Sequence, residues 1–149
     1  MRTIKLQYES KLKEKFYKKE IQEKWKKKYE VFDEDDLRLA LSQPTWHFGE
    51  WYVARIFDRR GHGVLIEKFG CKNHKRKTEV LLNFFSPAEI ETLNKMKLPD
   101  LFIYKNDKFF FAEVKKDDDR LSDEQKSSFR KLEKKYGCEV LIYELKEQK

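Results

Sequence analysis

The chain has 149 residues, 41% of them charged and 15% aromatic, with a formal net charge of +7, so its length suits one domain with a sizeable core and its aromatic content excludes a disordered tail. The basic balance, with a pI near 9.2, favours a polyanionic partner, while the absence of any run of about 18 apolar residues or of an apolar secretory leader points away from the membrane and toward the cytoplasm. Its only cysteines, Cys71 and Cys138, are too few for a disulfide framework and read as free thiols in a reducing compartment; Cys71 with His74 offers half a zinc spacing, which is not a site.

Residues 5–30 contain no Gly or Pro and are rich in Lys, Glu and Gln, which predicts a helix of several turns. Phe16 or Tyr17, Ile21, Trp25 and Tyr29 recur at helical spacing as one apolar stripe, suited to packing on the domain or to a two-fold interface in a homodimer. The opposite face, with Lys24, Lys26, Lys27 and Lys28, is either solvated or tracks a phosphate backbone. This basic helical extension is expected to cover residues 1–43. Within it, Asp33 to Asp36 suit the first turn of a short helix through Ser42, where acids complement the dipole.

A second unit is expected over 44–149. Gln43-Pro44 is a break, Thr45 a candidate N-cap, and Trp46 to Arg60 a helix ended by Gly61. Glu50, Val53, Ala54 and Phe57 share one face of that helix, and a carboxylate heading an inward apolar stripe calls for a cation, either a metal or a lysine. Gly63 to Phe69 and Glu79 to Phe85 read as strands joined by a basic loop, Cys71 to Lys77, whose Lys75, Arg76 and Lys77 are candidate phosphate contacts. Ser86-Pro87 with Glu89 has the form of a capping box opening a helix to about Lys97.

Asp100 to Lys105 and Lys108 to Lys115 are apolar, aromatic-rich runs separated by Asn106-Asp107, the pattern of a β-hairpin. A two-residue turn sets Asp100 opposite Glu113, with Cβ atoms roughly 4.5 to 5.5 Å apart, and aims Lys115 to the same face as Glu113. Facing carboxylates repel, and a divalent cation such as Mg²⁺ between them removes the cost. After Lys116 and three aspartates, Ser122 caps a helix to Tyr136 closed by Gly137, and Gln125 completes its capping box. Cys138 to Leu145 then reads as a strand, giving a β-α-β return with right-handed crossover.

With Pro99-Asp100, Glu113-Val114-Lys115, Asp119-Arg120-Leu121-Ser122 and Gln125 in this order, the segment from about 96 to 145 resembles the PD-(D/E)xK nuclease superfamily, and within it the VRR-NUC family most. The resemblance implies an α/β, restriction-endonuclease-like fold with a central mixed sheet flanked by helices, and a Mg²⁺- or Mn²⁺-dependent nuclease acting on DNA. Asp100, Glu113 and the Val114 carbonyl would ligate the metal, with Glu50 as a further acid by its location. Lys115 would orient or help deprotonate the attacking water, and Gln125 would lie in the active-site shell. Lys116 and Arg120 flank this segment as candidate DNA contacts. Related single-domain enzymes cut junctions, flaps or ends, a Holliday-junction resolvase being the nearest variant. Where many family members have Gly after the EVK triplet, this chain has Lys116. The rival class is a basic DNA-binding or assembly protein that keeps the fold without cleaving.

Overall fold

The computed structural model describes residues 1–67 and 74–148. Its strands are β1 (Arg2–Tyr8), β2 (Gly63–Ile66), β3 (Leu101–Lys105), β4 (Lys108–Lys116) and β5 (Val140–Glu147). They form one mixed sheet in the order β1-β5-β4-β3-β2. β1, β5 and β4 run parallel, whereas β3 is antiparallel to both β4 and β2. The helices are α1 (Ser10–Tyr17), α2 (Gln22–Lys28), α3 (Glu34–Ser42), α4 (Pro44–Arg59), α5 (Lys75–Leu81), α6 (Pro87–Asn94) and α7 (Asp123–Tyr136). None of these is long and apolar enough to cross a membrane.

Side chains alternate across the strands, and the two faces of the sheet carry separate cores. Val64, Ile66, Leu101, Ile103, Ala112, Val114, Leu141 and Tyr143 face a layer that includes Phe16, Trp25, Phe48, Trp51 and Phe57 from α1, α2 and α4. Leu65, Phe102, Phe111, Val140 and Ile142 face Leu81, Ile90, Leu93, Phe129 and Leu132 from α5, α6 and α7. Burying a large apolar side chain of this kind stabilises by roughly 1.5 to 3 kcal/mol each. This two-sided burial explains why the strands read as continuous apolar runs.

The structure corrects the long N-terminal helix. Residues 2–8 form β1, where Ile4 and Leu6 alternate with exposed positions and Tyr8 is buried. α1 and α2 follow as two short helices, separated by a break at which Lys19 adopts φ 63°. Gln22 fixes that break from within, since its buried amide donates to the Phe16 carbonyl at 2.6 Å. The apolar stripe does pack on the domain: Phe16, Trp25 and Tyr29 are buried in the first core, so these three rings are not offered to a second copy. Residues 1–43 thus supply an edge strand and core side chains to the same sheet as the rest of the chain.

Residues 79–85 are not a strand either. Lys75–Leu81 is helix α5, capped by His74, whose Nδ1 accepts from the Lys77 N–H at 3.2 Å, and turns follow it. The basic loop and the end of the first predicted strand fall partly on residues 68–73, outside the described residues. Thr45 does not cap α4: the helix begins at Pro44, which fits the first helical position because it has no N–H to satisfy, and Thr45 lies inside the first turn. The other punctuation works as expected. Pro44 sits in the first turn of α4, Gly61 at φ 81° follows its end, and Asp33, Ser86 and Ser122 each close a capping box. Gly137, at φ 62°, terminates α7 in the left-handed conformation that favours glycine.

Candidate functional site

The hairpin register is the one the two-residue turn demands. Lys105 pairs with Lys108 and Leu101 with Ala112, and Asn106 takes φ 56°. One step past the last ladder pair stand Asp100 and Glu113, and their side chains and backbones interlock. The Asp100 N–H donates to Glu113 Oε1 at 3.0 Å, and the Val114 N–H donates to Asp100 Oδ2 at 2.9 Å. Each carboxylate is therefore anchored by the other strand.

Two further side chains hold Glu113. Gln125 Nε2 donates to Glu113 Oε2 at 2.8 Å, while Gln125 Oε1 accepts from the Ser122 N–H at 3.0 Å. The capping role and the site role of Gln125 are thus the two ends of one amide. Lys115 Nζ lies 3.2 Å from the same Glu113 Oε2.

A third acid arrives from the opposite layer, on α4. Gly49 lets the helix close on β4, since a Cβ there would stand 2.9 Å from Val114 Cγ1. Glu50, the next residue, is 8% exposed, and its Oε2 is buried with no hydrogen-bond partner. Burial, followed by repulsion from Glu67 and Glu113, pushes its carboxyl up to about 8. Asp100 is likewise held well above the usual carboxylate range by burial, then by Glu113 and Glu50. Burial and mutual repulsion thus favour the protonated form of Glu50 and Asp100, and a positive charge placed among them would reverse that preference. An orphaned carboxylate oxygen among them fits a hard cation taking oxygen ligands.

Two members of the cluster were not singled out by sequence reasoning. Glu67 follows β2, and its N–H donates to the Asp100 carbonyl at 2.8 Å, so the β2–β3 pairing alone brings it to the site. His47 lies one turn before Glu50 on α4 and is 5% exposed. One ligand atom from each of His47, Glu50 and Glu67 falls within 4.8 Å of the other two. An i, i+3 His and Glu on one helix face was the available signal for His47; Glu67 had none beyond its charge.

Glu50 and Glu67 open onto a cleft of about 350 Å³ that Trp46, Val114, Lys116 and Asp119 also line. Lys116 reaches back to the Tyr17 hydroxyl and lies 3.4 Å from the Thr45 carbonyl, which sets it at the cleft mouth. The turn after β4 is tied down by Tyr8, whose hydroxyl donates to Asp117 at 3.0 Å. Asp117 adopts φ 57° there, the conformation a glycine would take without strain. That is how the chain accommodates Asp117 beside Lys116.

The candidate phosphate contacts divide in two. Lys24, Lys27, Lys28, Lys75 and Arg120 are exposed. Arg76 and Lys77 instead pair with other groups of the fold, Arg76 half-buried and Lys77 buried. Arg76 pairs with Asp33 at 3.0 Å and reaches the Val31 carbonyl. Lys77, 4% exposed, donates to the Ile66 and Glu67 carbonyls at 2.6 and 3.0 Å and stands 3.6 Å from Asp36. Lys77 therefore holds the backbone on either side of the β2 terminus from which Glu67 projects.

Comparison of the chain with protein-family models, with curated proteins and with solved structures returned no match in any of the three. The functional reading therefore comes from the chemistry of these side chains.

Proposed function

We propose that the protein is a divalent-metal-dependent nuclease that hydrolyses phosphodiester bonds in DNA. The observation that carries this reading is the junction at Asp100 and Glu113, two interlocked carboxylates with Lys115 and Gln125 on one of them and a buried, unpartnered oxygen of Glu50 nearby. Asp100, Glu113 and Glu50 would hold a Mg²⁺ or Mn²⁺ ion, with the Val114 carbonyl completing the set. When bound, such an ion lowers the pKa of water and neutralises charge on a phosphodiester.

The chain's own groups do the rest. The Val114 N–H keeps Asp100 turned toward Glu113, and Gln125 fixes Glu113 while leaving Lys115 on the same oxygen. The Lys115 ammonium donates to the attacking water and to the phosphoryl oxygens as charge builds on them, which is stabilisation aimed at the transition state. Lys116 at the cleft mouth and the exposed Lys24, Lys27, Lys28, Lys75 and Arg120 supply positive charge for the polyanion, consistent with the net charge of +7. Buried acids alone would repel DNA; the cation makes the cleft receptive. Labelled duplex, nicked, flap, four-way-junction and single-stranded DNAs, incubated with Mg²⁺, Mn²⁺ or EDTA, test the reading. Metal-dependent cutting of at least one substrate is expected, and the pattern of cutting identifies the preferred DNA shape.

A further inference from the structure

The imidazole of His47 stands at the edge of the carboxylate cluster in an orientation that its neighbour dictates. His47 Nε2 lies 3.2 Å from Gln43 Oε1, and an amide oxygen can only accept, so Nε2 carries a proton. In the neutral ring the lone pair is then on Nδ1, and Nδ1 is the atom that faces Glu67, 3.8 Å from its Oε2. On the third side is Glu50, whose Oε2 is buried without a hydrogen-bond partner and whose residue is more than nine-tenths buried. A ring nitrogen and two carboxylates, from α4 and from the end of β2, thus converge within 4.8 Å.

We propose that His47 and Glu67, with Glu50 shared between the two sites, form a second divalent-cation site beside the Asp100–Glu113 pair, whose mixed nitrogen and oxygen donors take a first-row transition ion such as Mn²⁺ in preference to Mg²⁺. Mg²⁺ prefers oxygen and sheds water reluctantly, whereas imidazole is a good ligand for transition ions. Gln43 acts as the positioning residue: its acceptor holds the ring with Nδ1 inward, the part that outer hydrogen-bond partners play for ligating histidines. Lys77 positions the other arm, since it fixes the Ile66 and Glu67 carbonyls. The competing explanation is a proton in place of a metal, with an imidazolium paired to Glu67 and a protonated Glu50. The catalytic meaning of this site rests on the proposed nuclease reading; the binding itself does not.

The test uses the full chain, without DNA, titrated with Mn²⁺ and followed by electron paramagnetic resonance, with Mg²⁺ as competitor. Pulsed spectra of the wild type should show coupling from a directly bonded ¹⁴N. His47→Gln should abolish that coupling and weaken Mn²⁺ binding by about tenfold or more, while Mg²⁺ binding changes little. Glu67→Gln should weaken Mn²⁺ binding while keeping the ¹⁴N coupling of the ions that remain bound. Thermal unfolding verifies that each variant is folded, and because the wild-type spectrum alone reports the nitrogen ligand, the test stands even if His47→Gln does not fold. Failure to bind Mn²⁺, binding without ¹⁴N coupling, or affinity unchanged in both variants overturns the proposal. A protein that shows the coupling but cuts no DNA keeps this site and loses the nuclease reading; one that cuts DNA with no ¹⁴N coupling does the reverse.

Discussion

Gln125 donates to Glu113 at 2.8 Å with one end of its amide and accepts the Ser122 N–H with the other, so a single side chain ties the start of α7 to the carboxylate pair. Gln125→Ala cuts both links. The lost cap predicts a fall of about 1 kcal/mol in unfolding free energy. Cleavage should fall further than that loss explains, because Glu113 and Lys115 lose their fixed geometry. Chemical denaturation alongside single-turnover cleavage separates the two effects. An activity equal to wild type in a variant destabilised only by the cap would assign Gln125 a purely structural role.

Asp100→Asn and Glu113→Gln should each abolish cleavage while leaving DNA binding largely intact, since both variants keep every exposed lysine and arginine. Both should also raise the melting temperature in EDTA near pH 8, because each removes one member of a set of mutually repelling buried acids. Filter binding, cleavage and melting curves provide the three readouts. Melting temperatures that drop in both variants would show that the acids are compensated without a metal.

The buried acids also set a pH dependence. Burial pushes the Glu50 carboxyl up to about 8 in the fold, against about 4.5 in the free side chain, so across that window the folded state binds more protons than the unfolded chain. Stability of the metal-free protein therefore falls as pH rises through the window, from its higher value on the acid side. Asp36, raised to about 6, adds a narrower contribution of the same sign. Melting curves from pH 5 to 9 in EDTA should show the decline, Glu50→Gln should flatten its upper part, and Mn²⁺ should oppose it at pH 8. A flat profile, or stability rising with pH, would contradict the assigned repulsion.

Lys77 tests how the β2 terminus is built. Lys77→Met removes the donor to the Ile66 and Glu67 carbonyls and leaves Asp36 buried without its cation. A loss of about 3 kcal/mol is expected, against little change for exposed Lys75→Met. Urea titrations of the two variants make the comparison. Near-equal stability would show that the Lys77 ammonium is not what holds the β2 terminus.

Much of the architecture is legible in the sequence wherever a local signal exists. Asn106-Asp107 between apolar runs sets the hairpin register, and hence the Asp100–Glu113 pairing. Ser86 with Glu89, Ser122 with Gln125, and Gly137 mark helix ends by side-chain chemistry that needs no tertiary context. What escapes is written in contacts far apart in the chain. β1 lies in a Lys-, Gln- and Leu-containing stretch with helical propensity, and becomes a strand because β5 pairs with it from Leu141 to Glu147. The break between α1 and α2 carries no Gly or Pro; it is made by Lys19 at positive φ and by the Gln22 amide. EVLLNFF is a short apolar run whose period is ambiguous between strand and helix, and the His74 cap decides for helix α5. Glu67 reads as an unremarked charge until the β2–β3 register sets it beside Asp100.

Incubating the purified chain with the panel of labelled DNAs in Mg²⁺, in Mn²⁺ and in EDTA, with Glu113→Gln run in parallel, decides whether the protein is a metal-dependent nuclease. Strand scission by the wild type in at least one metal-containing lane, absent in EDTA and absent in Glu113→Gln, is the predicted result. DNA retained by the protein with no strand cut in any lane would contradict it, and would leave a basic DNA-binding protein built on the same mixed sheet.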